Sequence, residues 1–354
     1  MATELVFLGP SSIGFRELAE PTGLGPREVR VRTLFSGISH GTEMNVYRGT
    51  SPQFRKSYVD GLFGEGEPAW RYPKTYGYEE VGQIVACGRA VRELKEGDII
   101  AANYGHRDSA VIDLDQGSHF HVVPPGMDPE LGVFHALGGV AMDAYLSSEI
   151  RLGESAVVVG LGIIGQFIVQ LCRLGGVEPT IAVDLIAPRR QRALGLGADF
   201  EFDPTTTDVA VEVRRIVGRK GADVVFDATG SYLALQEAIR CCAPIYGRVM
   251  AIGWYQGEGC GLRLGEEFHH SLFGAGGGGR IRQVNHRLPP AVGRAWDIRR
   301  VTDTFFGLMA RGDIALSDLI SHRIPFRDAA KAFRLIDEHP EEVSKVVLEF
   351  DPTE

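Results

Sequence analysis

The stretch Glu154-Ser-Ala-Val-Val-Val-Gly160-Leu-Gly162-Ile163-Ile164-Gly165-Gln constrains this chain more than any other. Ala156 to Val159 is a short apolar run of the kind that forms a buried parallel strand. It stops at three glycines spaced G-x-G-x-x-G, and an apolar helical pattern of Phe167, Ile168, Leu171 and Leu174 follows at once. In a chain with 45 glycines the spacing alone says little. Strand, glycines and helix in that order make a dinucleotide-binding fingerprint. Gly160 permits the tight turn, Gly162 lets the backbone approach a pyrophosphate, and Gly165 lets the helix pack close to the strand. The helix then opens with Ile163 and Ile164, whose N–H groups and the positive dipole end favour an anion. A second strand, Thr180 to Asp184, ends in an acid near the spacing expected for a carboxylate on the adenosine ribose. The alternative is a glycine turn in an ordinary βαβ unit, and the full context weighs against it.

At 354 residues the chain is long enough for two domains with separate cores. The 44% hydrophobic and 23% charged content is that of a soluble globular protein. A net charge of −9 argues against a nucleic-acid surface, and no Lys/Arg run suggests an anionic membrane partner. No apolar stretch approaches the roughly 20 residues of a bilayer span, and no signal peptide is recognised at the N-terminus. Five scattered cysteines fit a reducing compartment, so the cytoplasm is expected.

From Met1 to about Pro125 short strands are punctuated by Gly and Pro, with period-two alternation in Val29–Phe35 and Val81–Ala86. This predicts a β-rich domain. Ser51 to Tyr72 lacks clean periodicity and reads as a long excursion, either bordering a substrate cleft or simply on the surface. Around Met127 to Ser148 the pattern turns helical, and strands then alternate with helices as far as Gly253, predicting a doubly wound parallel sheet. Gly274–Gly279 reads as a mobile loop. Val301 to Ala310 is helical, and Ser344–Phe350 is a terminal strand.

Laid out in this way, the chain resembles the medium-chain dehydrogenase/reductase superfamily over nearly its whole length. Carrying the resemblance are Ser36-Gly-Ile, Gly41-Thr-Glu43, Gly77-Tyr-Glu79, Glu96-Gly-Asp98, the fingerprint, Leu196-Gly-Ala-Asp199, Asp227-Ala-Thr-Gly230 and Lys345-Val-Val-Leu. Within the superfamily it looks most like the group that includes bacteriochlorophyllide a dehydrogenase and sugar- or cyclitol-type dehydrogenases. The resemblance implies an α/β architecture: a GroES-like catalytic domain from residues 1–130 and 286–354, with a Rossmann nucleotide domain, 131–285, inserted between them. A homodimer paired through nucleotide-domain sheet edges is implied by relatives alone.

Zinc-dependent members place a Cys before a Gly-Thr-Asp-like motif, a His in Gly-His-Glu, and a Cys or Glu near the start of the linking helix. Here those positions hold His40 or Ser39, Tyr78 and Ala136. Tyrosine is an unusual zinc ligand and alanine is none. The four-cysteine structural lobe is also missing, since no two cysteines lie close together between Gly88 and Pro125. A replacement set of His40, Glu43, Glu79 and His106 is conceivable. The expectation is nevertheless that zinc is absent.

Hydride transfer without a metal needs hydrogen-bond donors or an acid–base side chain at the alcohol oxygen. Thr42 matches the hydroxyl that relays the substrate proton in zinc members, or is a turn residue. His40 titrates near neutral pH and is the preferred general acid/base, with a helix-end or cofactor-phosphate contact as its alternative. Tyr78 either donates to the substrate oxygen or fills the volume left by a metal. Glu79 is expected to orient or charge-balance His40. His106, in the stretch Tyr104-Gly-His106 that can approach the substrate side, reads rather as an ordinary loop histidine, and His135 as a core histidine. Asp184 points to NAD(H), because its carboxylate suits two ribose hydroxyls and repels the extra phosphate of NADP. Arg189 and Arg190 can still bind that phosphate, and Arg189 can instead stack on adenine. Thr229 lines the nicotinamide path. Lys345 matches a basic residue near the pyrophosphate in relatives, or is a solvated strand-edge lysine.

Three functions compete. The first is a zinc-independent, NAD-dependent dehydrogenase of a secondary hydroxyl on a cyclic polyol, sugar or natural-product intermediate. The second is a zinc-independent enoyl or quinone reductase, and the third a non-catalytic dinucleotide-binding protein. His40 with Glu79 favours the first, since quinone reduction needs no carbinol base.

Overall fold

Four fully buried strands of four residues each form the middle of a parallel sheet: Ala156–Val159, Thr180–Val183, Val224–Asp227 and Arg248–Ala251. Their continuous β-branched and apolar character is what a strand covered on both faces requires. Phe200–Phe202 and Arg280–Gln283 flank them, in the order Phe200, Thr180, Ala156, Val224, Arg248, Arg280 by first residue. Every neighbouring pair is parallel. The chain steps outward from Ala156–Val159 in one direction, then returns to its other side at Val224–Asp227. That reversal is the switch point at which such sheets leave a crevice beyond the strand ends. Helix Ile163–Leu174 follows the central strand and buries Phe167 and Ile168. Asp208 caps helix Val209–Val217 by accepting from Val211 N.

In the computed structural model, which describes residues 1–116, 119–218, 221–270, 280–284 and 296–351, the chain divides into Leu137–Leu308 and a unit built from both chain ends, Met1–Ala136 with Met309–Glu354. The second crossing thus falls inside helix Ile298–Ala310, later than the expected residue 286. Packing explains this difference. The Phe305 ring lies 5.0 Å from Phe167, and a Cβ on Gly138 would sit 2.1 Å from it. Most of that helix therefore belongs with the nucleotide fold. The loop expected at Gly274–Gly279 lies outside the described residues.

The unit built from both ends centres on Glu28–Ile38, which pairs antiparallel with Glu80–Cys87, with Ser109–Asp113 and with Lys345–Glu349. Lys345–Glu349 also pairs in parallel with Ile320–Pro325, so it is an inner strand and not an edge. One core packs Val29, Val31, Ile84, Ile100 and Ile112. Another gathers Phe7, Ile38, Met44, Tyr47, Phe333, Val346 and Leu348, with the Phe7 and Phe333 rings edge-on at 5.3 Å. The aperiodic excursion after Ser51 is partly ordered as a hairpin, Ser57–Val59 with Leu62–Gly64. Asp60 and Gly61, at φ 50° and 81°, make its two-residue turn.

Candidate active site

At the nucleotide end, the glycines act through what their missing Cβ atoms would strike. Gly160 takes φ +86°, and a Cβ there would lie 2.5 Å from Thr229 Cγ2. On Gly165 it would lie 2.0 Å from the Gly160 carbonyl oxygen, so helix and turn could not approach. On Gly162 it would meet nothing within 4 Å, which leaves open space where a pyrophosphate can sit. The helical ladder begins with Gln166 N donating to Gly162 O at 2.9 Å. Ile163, Ile164 and Gly165 precede that first bond, so their N–H groups have no intrahelical acceptor.

Asp184, half-buried, accepts from Leu161 N at 2.7 Å on Oδ2 and from Ile186 N at 2.8 Å on Oδ1. Each oxygen keeps a lone pair for a ribose hydroxyl. Of the two arginines that can favour NADP, Arg190 is engaged elsewhere: its guanidinium reaches Glu201 at 2.5 Å, Asp203 at 3.2 Å and the Asp184 carbonyl at 2.8 Å. Arg189 is half-buried; burial disfavours its charge, and Asp184 opposes that effect. Thr229 donates through Oγ1 to Asp227 Oδ1 at 2.6 Å, and Tyr255 donates to Oδ2 at 2.5 Å. Burial raises the Asp227 pKa, while these hydrogen bonds pull against it.

The unit built from both ends holds a cluster of fully buried polar groups: Ser36, Glu43, Glu79, Glu80, His106 and Lys345. His106 Nε2 lies 2.7 Å from Glu43 Oε2, and its Nδ1 lies 2.6 Å from Ser36 Oγ. Glu43 also accepts from Ser39 N at 3.0 Å, and Glu80 from Tyr104 N at 2.8 Å. Desolvation presses the His106 pKa down, but the charge and hydrogen bond of Glu43, with Glu80 and Glu79 behind it, raise it on balance. Lys345 makes an ion pair with Glu79 and donates to the Ile38 carbonyl at 3.0 Å. Burial carries the Glu79 pKa up to about 7 against the pull of Lys345, and Glu43 and Glu80 add to the rise.

Tyr78 precedes this cluster. Burial, then the charges of Glu79 and Glu43, raise its pKa well above the ordinary phenol value, and the nearby side chains of Ser39 and Thr42 pull against that rise. It is therefore a hydrogen-bond donor at physiological pH and not a base. Thr42 opens helix Thr42–Arg48, and half-buried His40 stands two residues before it.

Several expectations change with this geometry. Lys345 is not a solvated edge lysine, because its ammonium is enclosed with Glu79 and its strand is an inner one. Glu79 consequently has Lys345 as its charge partner where His40 was expected. His106 is no ordinary loop histidine but the link between Glu43 and Ser36. His135 is buried as expected, and desolvation, then His121 and His119, hold its pKa well below the ordinary value. Sequence reasoning also missed Tyr255 and Glu80. Asp227 was visible only as part of a motif, and its position at a strand's end before Ala-Thr-Gly was the available signal.

The side chains present do not suit catalytic zinc. Tyr78 and Ala136 stand at two of the positions where zinc members carry ligands. In the conceivable replacement set, Glu43 and His106 bind each other and Glu79 binds Lys345. Among the described residues these side chains do not converge as a common ligand group. The Lys345 ammonium already neutralises Glu79 through Oε2.

The family model for zinc-binding dehydrogenases matches residues 164–279. A D-guloside 3-dehydrogenase of Escherichia coli (strain K12) is 29% identical over 336 residues, covering 91% of this chain and 93% of that protein. The structure of a 2R,3R-butanediol dehydrogenase from Bacillus subtilis superposes with TM-score 0.78 at 20% identity, over 99% of each chain. An alcohol dehydrogenase from E. coli CFT073, complexed with NADH, superposes with TM-score 0.75 at 20% identity, again over 99% of each chain. The fold is thus that of a sheet-rich catalytic domain joined to a Rossmann domain.

Proposed function

We propose that this chain, an oxidoreductase of the medium-chain, zinc-type dehydrogenase superfamily, interconverts a secondary alcohol and a ketone on a sugar, cyclic polyol or natural-product intermediate, with NAD(H) and without catalytic zinc. The observation that carries the reading is the set of hydroxyls Ser39, Thr42 and Tyr78 standing directly before the fully buried carboxylates Glu43 and Glu79. Named dehydrogenases of sugar and polyol alcohols among the relatives support the substrate class. A bound nicotinamide supplies the hydride acceptor or donor.

The chain's own residues divide the remaining work. Gly160, Gly162, Gly165 and the N–H groups of Ile163 and Ile164 receive the pyrophosphate, Asp184 takes the adenosine ribose, and Thr229 fixes the turn beside Gly160. Tyr78 and Thr42 donate to the substrate oxygen and stabilise charge that develops there. His40 or Glu79 exchanges the carbinol proton. The edge strand Arg280–Gln283, largely exposed, is the proposed pairing edge of a homodimer, and the five free thiols accord with a cytoplasmic setting. No helix among the described residues is long and apolar enough to cross a membrane.

Incubating the protein with NAD and a panel of glycosides and polyols, and with NADH and a panel of enones and quinones, tests the reading by nicotinamide absorbance. Turnover of polyols or glycosides is the expected result. Turnover confined to enones or quinones would replace it with the reductase reading. Sedimentation at micromolar concentration checks the dimer, and a monomer removes it.

A further inference from the structure

We propose that Lys345 is a positioning residue: by holding Oε2 of Glu79, its ammonium leaves Oε1 as the acceptor for the proton that alcohol oxidation releases. The inference rests on the dehydrogenase reading above and names the group that completes its proton balance.

Three observations meet at this pair. Lys345 and Glu79 are both fully buried, and the ammonium is held on Glu79 Oε2 and on the Ile38 carbonyl. Glu79 Oε1 is buried and has no hydrogen-bond partner. A buried acceptor left bare is costly and rare, so an orphan oxygen in a native cluster calls for a reason. Gly37 supplies the space for the pair, since a Cβ there would lie 2.6 Å from Glu79 Oε2 and 2.7 Å from Lys345 Cε.

The rest of the cluster is less suited to accept a proton. Glu43 Oε1 holds Ser39 N, and its Oε2 holds His106; Glu80 Oε1 faces Ser36 and its Oε2 holds Tyr104 N. Tyr78 keeps its proton. The charged and titratable groups facing Glu79 are Lys345, Glu43, Glu80, His106 and Tyr78. Lys345 is the main pull toward its ionised form, and burial with the two acids opposes that, so the carboxyl is poised at about 7. Without Lys345 the balance tips further toward the protonated carboxyl, which cannot accept.

In the oxidation, the substrate O–H bond breaks and its proton passes to Glu79 Oε1. The carbinol C–H bond breaks with its electron pair leaving as hydride to the oxidised dinucleotide. The carbon–oxygen bond becomes a carbonyl, so the alcohol is oxidised and the dinucleotide reduced. Proton and hydride are both accounted for.

Infrared difference titration of the cofactor-free protein reads the pair without substrate. Wild type is expected to show a protonated-carboxyl band that titrates near pH 7 and is absent from Glu79→Gln. Lys345→Met should move that titration up by at least about one pH unit, the tenfold change in proton affinity that each unit represents. Lys345→Arg should keep it near the wild-type position. A second arm follows NADH formation from methyl D-guloside against pH: the acid limb of kcat should follow the infrared titration in wild type and Lys345→Met, and disappear in Glu79→Gln. A missing band, a band that survives Glu79→Gln, or one unmoved in Lys345→Met overturns the proposal. So does an acid limb that persists in Glu79→Gln while NADH still forms, and in that case the dehydrogenase reading stands. If the panel of alcohols gives no NADH although the titration behaves as expected, the dehydrogenase reading fails, and the role for Glu79 fails with it.

Discussion

Leu161 donates its backbone N–H to the Asp184 carboxylate at 2.7 Å, so the acid at the end of one strand also braces the glycine turn of its neighbour. Asp184 therefore braces the turn, and the proposed contact with the ribose would be its second role. Charge-assisted hydrogen bonds of this kind are worth roughly 1.5–3 kcal/mol, and the carboxylate repels a 2′-phosphate. A preference for NAD(H) of at least roughly tenfold is expected, at about 1.4 kcal/mol for each factor of ten. Asp184→Ser should reduce the preference by weakening NAD binding, and weaken NADP binding as well through the loosened turn. Titrating both cofactors into both proteins checks this. Equal or tighter NADP binding by wild type would assign the choice to Arg189.

The fingerprint glycines should separate stability from binding. Gly162→Ala meets open space, so its unfolding midpoint should stay near wild type while NAD affinity falls by about tenfold or more. Gly165→Ala collides with the Gly160 carbonyl at 2.0 Å and should lower both. Calorimetry with and without NAD distinguishes them, and unchanged NAD binding in Gly162→Ala contradicts the placement of the pyrophosphate.

Replacing His106 by Gln leaves Glu43 buried without its cation. Breaking a buried pair from one side typically costs about 3–5 kcal/mol, measurable as a lower midpoint in urea. His106 has a raised pKa when folded, so its contribution is full below the ordinary value of 6.5 and is lost as pH climbs through the raised one. A variant as stable as wild type at low pH would remove His106 from the network.

Glu79 bends the stability curve in the same direction. Its folded pKa of about 7 lies above the ordinary 4.5, so the native state binds the extra proton and stability falls as pH rises between those values. Glu79→Gln should flatten that segment of the pH–stability curve. A slope equal to that of wild type would mean that Glu79 ionises normally.

Catalysis is expected to survive exhaustive treatment with a zinc chelator, and zinc content measured on the purified protein should be well below stoichiometric. Stoichiometric zinc, with activity lost on its removal and restored on its return, would mean that His40 and its neighbours rearrange to bind it.

Much of the nucleotide unit was legible because its signals are local. The apolar run Ala156–Val159, the three glycines and Phe167 follow one another directly along the chain, and each carries its own periodicity or turn chemistry. Asp184 was legible for the same reason. The buried cluster was not. Lys345 and Glu79 are 266 residues apart, and His106 and Glu43 are 63 apart, so no spacing rule connects them. A histidine between a glycine and an arginine carries no sign of burial, and Lys345 looks like any lysine beginning a strand. The allegiance of helix Ile298–Ala310 was hidden similarly, because it depends on Phe305 finding Phe167 and the bare backbone of Gly138.

The inner position of Lys345–Glu349 sets an order on synthesis at the ribosome. Glu28–Ile38 and Glu80–Cys87 emerge early, but the neighbour that completes their sheet on the other side is translated only after the whole of Leu137–Leu308. The nucleotide unit can therefore finish folding while the earlier unit still waits with an open sheet edge, exposed to mispairing. Glu79 remains without its counter-ion through that interval, and the buried ion pair comes into being only when the last strand docks.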